Sequence, residues 1–185
     1  VLAVLSGCRS TGGGAPDPSA SATTPAPLDT SWERDPGHLL AAPAPAPNFE
    51  GIAHTGMRVR LSAFLEKPVV VYFYASDRSQ EGVSEARAFR DAWLQLIEKA
   101  SMVIGISPDD RVTHRELATG EKLPFLLVAD ERNAIAKAFG IKVENGRYSP
   151  VTFVISKDGT IARVLEGVPG EGHAAAVQTA LDALP

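Results

Sequence analysis

With 185 residues, 44% of them apolar and 22% charged, the chain is long enough for one domain with its own core and too short for two of ordinary size. Its 18 lysines and arginines against 22 acids leave a net charge of −4 and a pI near 5.6, which excludes the basic surface a phosphate backbone requires, so nucleic acid is not expected as a partner. The single cysteine, Cys8, excludes an intramolecular disulfide, and His38, His54, His114 and His173 are scattered without ligand spacing, so neither a metal site nor another cofactor is expected and each histidine reads as a surface or loop residue.

The first ten residues are VLAVLSGCRS, an apolar run that ends in Leu5-Ser6-Gly7-Cys8 and passes into the polar, glycine-rich RSTGGG. This resembles the lipobox of bacterial lipoproteins, in which the signal peptide is cut before a cysteine that then carries a diacylglycerol. The resemblance implies a signal-peptide remnant over 1–8, its start missing, a membrane lipid attached through Cys8, and a place on the periplasmic or outer side of a bacterial membrane. The run is far shorter than the roughly 20 apolar residues of a transmembrane helix. Residues 9–47 are rich in Pro, Ala, Ser, Thr and Gly and bury too little apolar surface to offset chain entropy, so a disordered tether is expected there, with Trp32, Leu39 and Leu40 its only sticky residues.

From Asn48 the pattern becomes compact. MRVRL (57–61) alternates as a short strand, and Leu61 to Leu65 reads as one helical turn. VVVYFY (69–74), β-branched and aromatic throughout, predicts a central strand covered on both faces. A helix is predicted over 80–99, with Val83, Ala86, Phe89, Arg90, Trp93, Leu94 and Ile97 on one stripe. Met102–Ile106 reads as a second buried strand, followed by a helix over 110–119, and Phe125–Val128 as a third. Asp130 is expected to cap a helix over 131–139 that Gly140 ends, 151–167 to form a hairpin turning at Asp158-Gly159, and 171–184 to form the closing helix. This order predicts an α/β domain over 48–185, a central mixed sheet with helices on both faces.

Seven stretches align in order with one family: APNF (46–49), LSAFLEKPVVVYFYASD (61–77), EARAFRDAW (85–93), VIGISPDD (103–110), LPFLLVAD (123–130), AKAFGI (136–141) and TFVISKDGTIARV (152–164). The domain thereby resembles the peroxiredoxins of the AhpC/TSA group, in particular the bacterioferritin-comigratory-protein class. That resemblance implies a thioredoxin-like fold and thiol peroxidase chemistry. It also implies a loop of the form Pro-x-x-x-Thr/Ser-x-x-Cys, whose cysteine, at the first turn of a helix, is favoured as the thiolate by the helix N-terminus. Here Ala75 stands for the proline, Ser79 for the Thr/Ser and Gly82 for the cysteine, and Arg87 occupies the place of a resolving cysteine. The arginine the family sets before its TFVI-like strand is replaced by Pro150, which is expected to follow a cis bond from Ser149, with Arg147 a possible substitute guanidinium.

Ser79 and Ser84 border this loop, but a hydroxyl cannot reduce a peroxide through a sulfenic acid, and Ser79 reads more simply as a helix cap with Glu81 in the first turn. A thiol on a free tether at Cys8 has neither a lowered pKa nor a positioned peroxide. The favoured reading is a membrane-tethered binding or accessory module for an unidentified protein partner, catalytically silent, whose vacant helix N-terminus could hold a small anion. The alternatives are a thiol-dependent peroxidase whose sulfur comes from a partner and an electron-transfer or copper-delivery protein, the last disfavoured by the lack of a cysteine pair.

Overall fold

The computed structural model describes residues 39–64, 66–99, 102–168 and 170–184; Cys8, Trp32 and His38 lie outside them. An eight-stranded mixed sheet runs in the order β1-β10-β9-β4-β5-β6-β2-β3. Its strands are β1 (Ala44–Pro45), β2 (Glu50–Ala53), β3 (Arg58–Arg60), β4 (Val69–Phe73), β5 (Met102–Ser107), β6 (Leu126–Ala129), β9 (Val151–Ile155) and β10 (Thr160–Glu166). β7 (Val143–Glu144) and β8 (Arg147–Tyr148) form a separate small hairpin. The helices are α1 (Gln80–Asp91), α2 (Trp93–Glu98), α3 (Arg111–Gly120), α4 (Ala134–Ala138) and α5 (Gly170–Asp182), and Leu61–Phe64 makes a 3₁₀ turn.

β4 shows why the sheet is covered on both sides. It pairs in parallel with β5 and antiparallel with β9, and all five of its residues are buried. Successive side chains of a strand point to opposite faces. Val69, Val71 and Phe73 therefore enter one core, with Phe49, Phe139 and Phe153, while Val70, Tyr72 and Tyr74 enter the other, with Phe89, Phe125 and Val177. The α/β architecture, the central strand, the hairpin of β9 with β10 and the closing helix all match expectation.

Three expectations change. The helix predicted over 80–99 is interrupted at Ala92, whose backbone (φ −87°, ψ 2°) leaves helical geometry, and the restart in a new phase turns Leu96 inward while Leu94 is 71% and Ile97 49% exposed. The helix expected over 131–139 forms only at Ala134–Ala138, because Asn133 takes a left-handed conformation; Asp130 still caps it, accepting hydrogen bonds from the Ile135 and Ala136 amides at 3.1 and 2.8 Å. Finally, the packed unit extends N-terminal to Asn48. Ala44 and Pro45 pair with Ile161 and Thr160, the Leu40 amide donates to the Phe139 carbonyl, and Leu39 and Leu40 pack on the core. A proline-rich composition disfavours a core but not an edge strand, where one side of the ladder is free anyway.

Candidate functional site

The loop after β4 and the first turn of α1 stand at the carboxyl end of the parallel strands, where ligand sites of open α/β sheets gather. Ser79 is the N-cap of α1: its backbone is extended and its hydroxyl accepts a hydrogen bond from the Gly82 amide at 3.0 Å, as the sequence predicts. The same hydroxyl donates to the Ser76 carbonyl at 2.9 Å.

Gly82 is buried, and what surrounds it is decisive. A Cβ placed there would meet the Ser76 carbonyl oxygen at 2.3 Å, the Ser79 hydroxyl at 3.0 Å and the Tyr74 ring at 3.0 Å. The first contact is with backbone, which cannot swing aside as a side chain can. The loop has closed over the position that a side chain would occupy, so the helix start is filled by the chain's own groups.

Sequence reasoning missed the network that holds the loop shut. The Asp77 amide donates to Asp109 Oδ2 at 2.7 Å, and the Ser76 and Ser107 hydroxyls donate to the same carboxylate at 3.2 and 2.9 Å. Asp77, itself buried, accepts from the Tyr74 hydroxyl at 2.5 Å and lies 2.7 Å from His114 Nδ1, which places the imidazole proton on that nitrogen. Burial first, then the neighbouring Tyr72 and Asp77, pushes the Tyr74 hydroxyl well above its ordinary range and keeps it a proton donor. The loops after β4 and β5 are thus tied to each other and to α3.

His114 and His173 are both buried, against the surface placement their scatter suggested. His173 Nδ1 lies 2.5 Å from Glu85 Oε1, a close contact without hydrogen-bond alignment that joins α5 to α1. Helical spacing carries the signal. His173, Val177, Ala180 and Leu181 form one buried stripe of α5, and His114 shares a face of α3 with Ala118. A histidine inside an apolar stripe is a buried histidine and requires a partner.

The remaining predicted positions separate. Arg87 is directed away from the loop into a two-pronged contact with Glu121, at 2.8 and 2.7 Å. Ala75, Arg147 and Pro150 line one open cleft of about 620 Å³ together with residues of the β7–β8 hairpin. The Ser149–Pro150 bond is not cis; Ala42–Pro43 is the one cis bond among the described residues. Ser149 continues the β8 ladder, its amide donating to the Lys142 carbonyl at 3.0 Å, and an extended residue before proline is compatible with a trans bond.

The AhpC/TSA family model matches residues 43–164. The chain belongs to that family. It is 32% identical over 139 residues to peroxiredoxin bcp of Coxiella burnetii, covering 71% of this chain and 92% of that one. It is 39% identical over 118 residues to the chloroplastic peroxiredoxin Q of Oryza sativa subsp. japonica, covering 63% of this chain and 54% of the rice protein, so it spans about half the length of that relative. Among solved structures, the peroxidoxin BcpB of Mycobacterium tuberculosis superposes with a TM-score of 0.74 at 27% identity, over 80% of this chain and 99% of that one. Peroxiredoxin Q of Xanthomonas campestris gives a TM-score of 0.72 at 25% identity, over 77% of this chain and 97% of that one. The thioredoxin-like fold of the family is therefore the fold of this chain.

Within the described residues no set of three His, Cys, Asp or Glu side chains is arranged to hold a metal ion, and no helix is long and apolar enough to cross a membrane.

Proposed function

We propose that this AhpC/TSA-family domain does not itself carry out thiol peroxidase chemistry and serves as a membrane-tethered binding module. The observation that carries the reading is the surroundings of Gly82: the residue aligned with the family's peroxide-reacting cysteine has no side chain, and the Ser76 carbonyl takes the space one would need. Two further positions support it. Arg87, in the place of a resolving cysteine, is engaged with Glu121, and Pro150, in the place of the family's guanidinium, offers neither charge nor donor.

The Gly82 amide is already satisfied by Ser79, so an anion at the helix start would have to displace an internal cap. Binding therefore belongs to the open cleft beside Arg147 and Pro150 and to protein surfaces around it. The tether and lipid attachment rest on Leu5-Ser6-Gly7-Cys8 and the proline-rich run after it, and mass spectrometry of membrane-extracted protein should find a diacylglyceryl group on Cys8.

The test is stopped-flow reduction of hydrogen peroxide and an alkyl hydroperoxide by the full chain and its Cys8→Ser variant. Neither protein should consume oxidant faster than buffer. Turnover by Cys8→Ser alone would overturn the reading, and turnover only after a thioredoxin-like partner is added would replace it with a peroxidase whose sulfur is borrowed.

A further inference from the structure

The open cleft has a composition that the closed loop lacks. Ala75 and Pro150, both without side-chain donors, line the cleft together with the β7–β8 hairpin. That hairpin is not a floppy loop. Asn145 and Gly146 both have positive φ, 50° and 72°, the signature of a two-residue type I′ turn. Val143 and Glu144 face Tyr148 and Arg147 in register. The Tyr148 hydroxyl donates toward Asp130 and Asn133 at 2.9 to 3.0 Å, and the Ser149 amide donates to the Lys142 carbonyl at 3.0 Å, so the base of the hairpin is anchored.

On this fixed wall the charges are unevenly engaged. Glu144 is the cross-strand neighbour of Arg147, yet its carboxylate goes to Lys142 at 2.6 Å. Arg147, exposed at the cleft, has no ion pair or side-chain hydrogen bond with any described residue. A planar guanidinium offers two parallel donors, which a carboxylate or a phosphate can accept. One free cation beside a neutralised acid matches a single negative charge and gives a phosphate dianion little to hold it. Ala75 and Pro150 offer apolar contacts for a short hydrocarbon body, and a volume of about 620 Å³ is that of a small-molecule site.

We propose that the cleft between the β7–β8 hairpin and the loop after β4 binds a small monocarboxylate carrying a short apolar chain. Arg147 grips the carboxylate, and Ala75 with Pro150 receives the chain. This assigns a ligand class to the binding module proposed above, and it stands or falls separately from the loss of peroxidase chemistry, because binding is read without oxidant.

Hexanoate is the probe, titrated into the full chain and followed by amide chemical shifts. Saturable shifts should centre on Ala75 and on 147–151, excepting Pro150, which has no amide. Arg147→Gln should weaken binding about tenfold or more, the usual loss for a charge-assisted hydrogen bond, and Arg147→Lys by less. Hexan-1-ol and hexyl phosphate should bind more weakly than hexanoate by a similar factor. Hexanoate shifts that fail to saturate, that centre elsewhere, or that Arg147→Gln leaves unchanged would overturn the proposal. Equal binding of the alcohol would do so by removing the carboxylate, and tighter binding of an acetylated apolar dipeptide with a free C-terminus would do so by making the ligand a peptide.

Discussion

The loop after β4 and the β7–β8 hairpin differ in how their groups are engaged. On the α1 side, residues 76–82 are packed shut: the cap hydroxyl, the Ser76 carbonyl and the Asp77 and Asp109 carboxylates all have internal partners, and a single added carbon at Gly82 has nowhere to go. On the hairpin side, residues 144–150 stay open, with a free guanidinium on a rigid wall. A scaffold that needs a reactive atom must hold room for it. Once that atom is dispensable the polar groups around it can satisfy one another, while a neighbouring cleft remains usable.

The largest effect on this contrast should come from His114→Ala. It leaves the buried Asp77 carboxylate without its imidazole partner, and losing half of a buried pair costs about 3–5 kcal/mol, measurable by urea denaturation. Glu85→Ala tests the second buried pair, and the stranded His173 should be less costly because the contact it loses is poorly aligned. Gly82→Cys forces the Ser76 carbonyl to move, and overpacking of that kind should destabilise by about 1–3 kcal/mol. Ser79→Ala removes the cap and should cost about 1 kcal/mol. Arg147→Gln, on the open side, should change stability by no more than about 0.5 kcal/mol, so that any binding defect it shows is not a folding defect.

The smallest effect is a pH dependence. Burial, followed by the charge of His114, lowers the His54 pKa from its ordinary 6.5. The unfolded chain therefore binds this proton more readily than the folded one. The corresponding stability is complete above pH 6.5 and declines as the pH falls from there toward the folded-state value. His54→Gln should flatten this part of the stability profile without altering its shape at neutral pH and above.

Much of the fold was legible because β4 and its neighbours announce themselves by composition, and because the cap at Ser79 and the Asp158-Gly159 turn follow local rules. The site was legible only as an absence: Gly82 could be seen to lack sulfur, but not that the loop had closed over it, since closure depends on Asp109 and His114, which lie 32 residues from Asp77 and further. Reading the histidines by their scatter along the chain rather than by their place on apolar helical stripes hid both buried pairs. No element was predicted between Gly140 and residue 151, although Asn145-Gly146 is a strong short signal for the type I′ hairpin that forms there. The pairing of Ala44 and Pro45 with β10 was not legible because edge pairing requires backbone groups and not apolar side chains.

The most direct measurement is the rate at which Gly82→Cys, on a Cys8→Ser background, reacts with hydrogen peroxide. A closed site predicts reaction no faster than that of a free, unperturbed thiol, because the new sulfur has no room at the helix start. Reaction orders of magnitude faster, in a variant as stable as its parent, would contradict it and mean that the family site survives intact but for one atom.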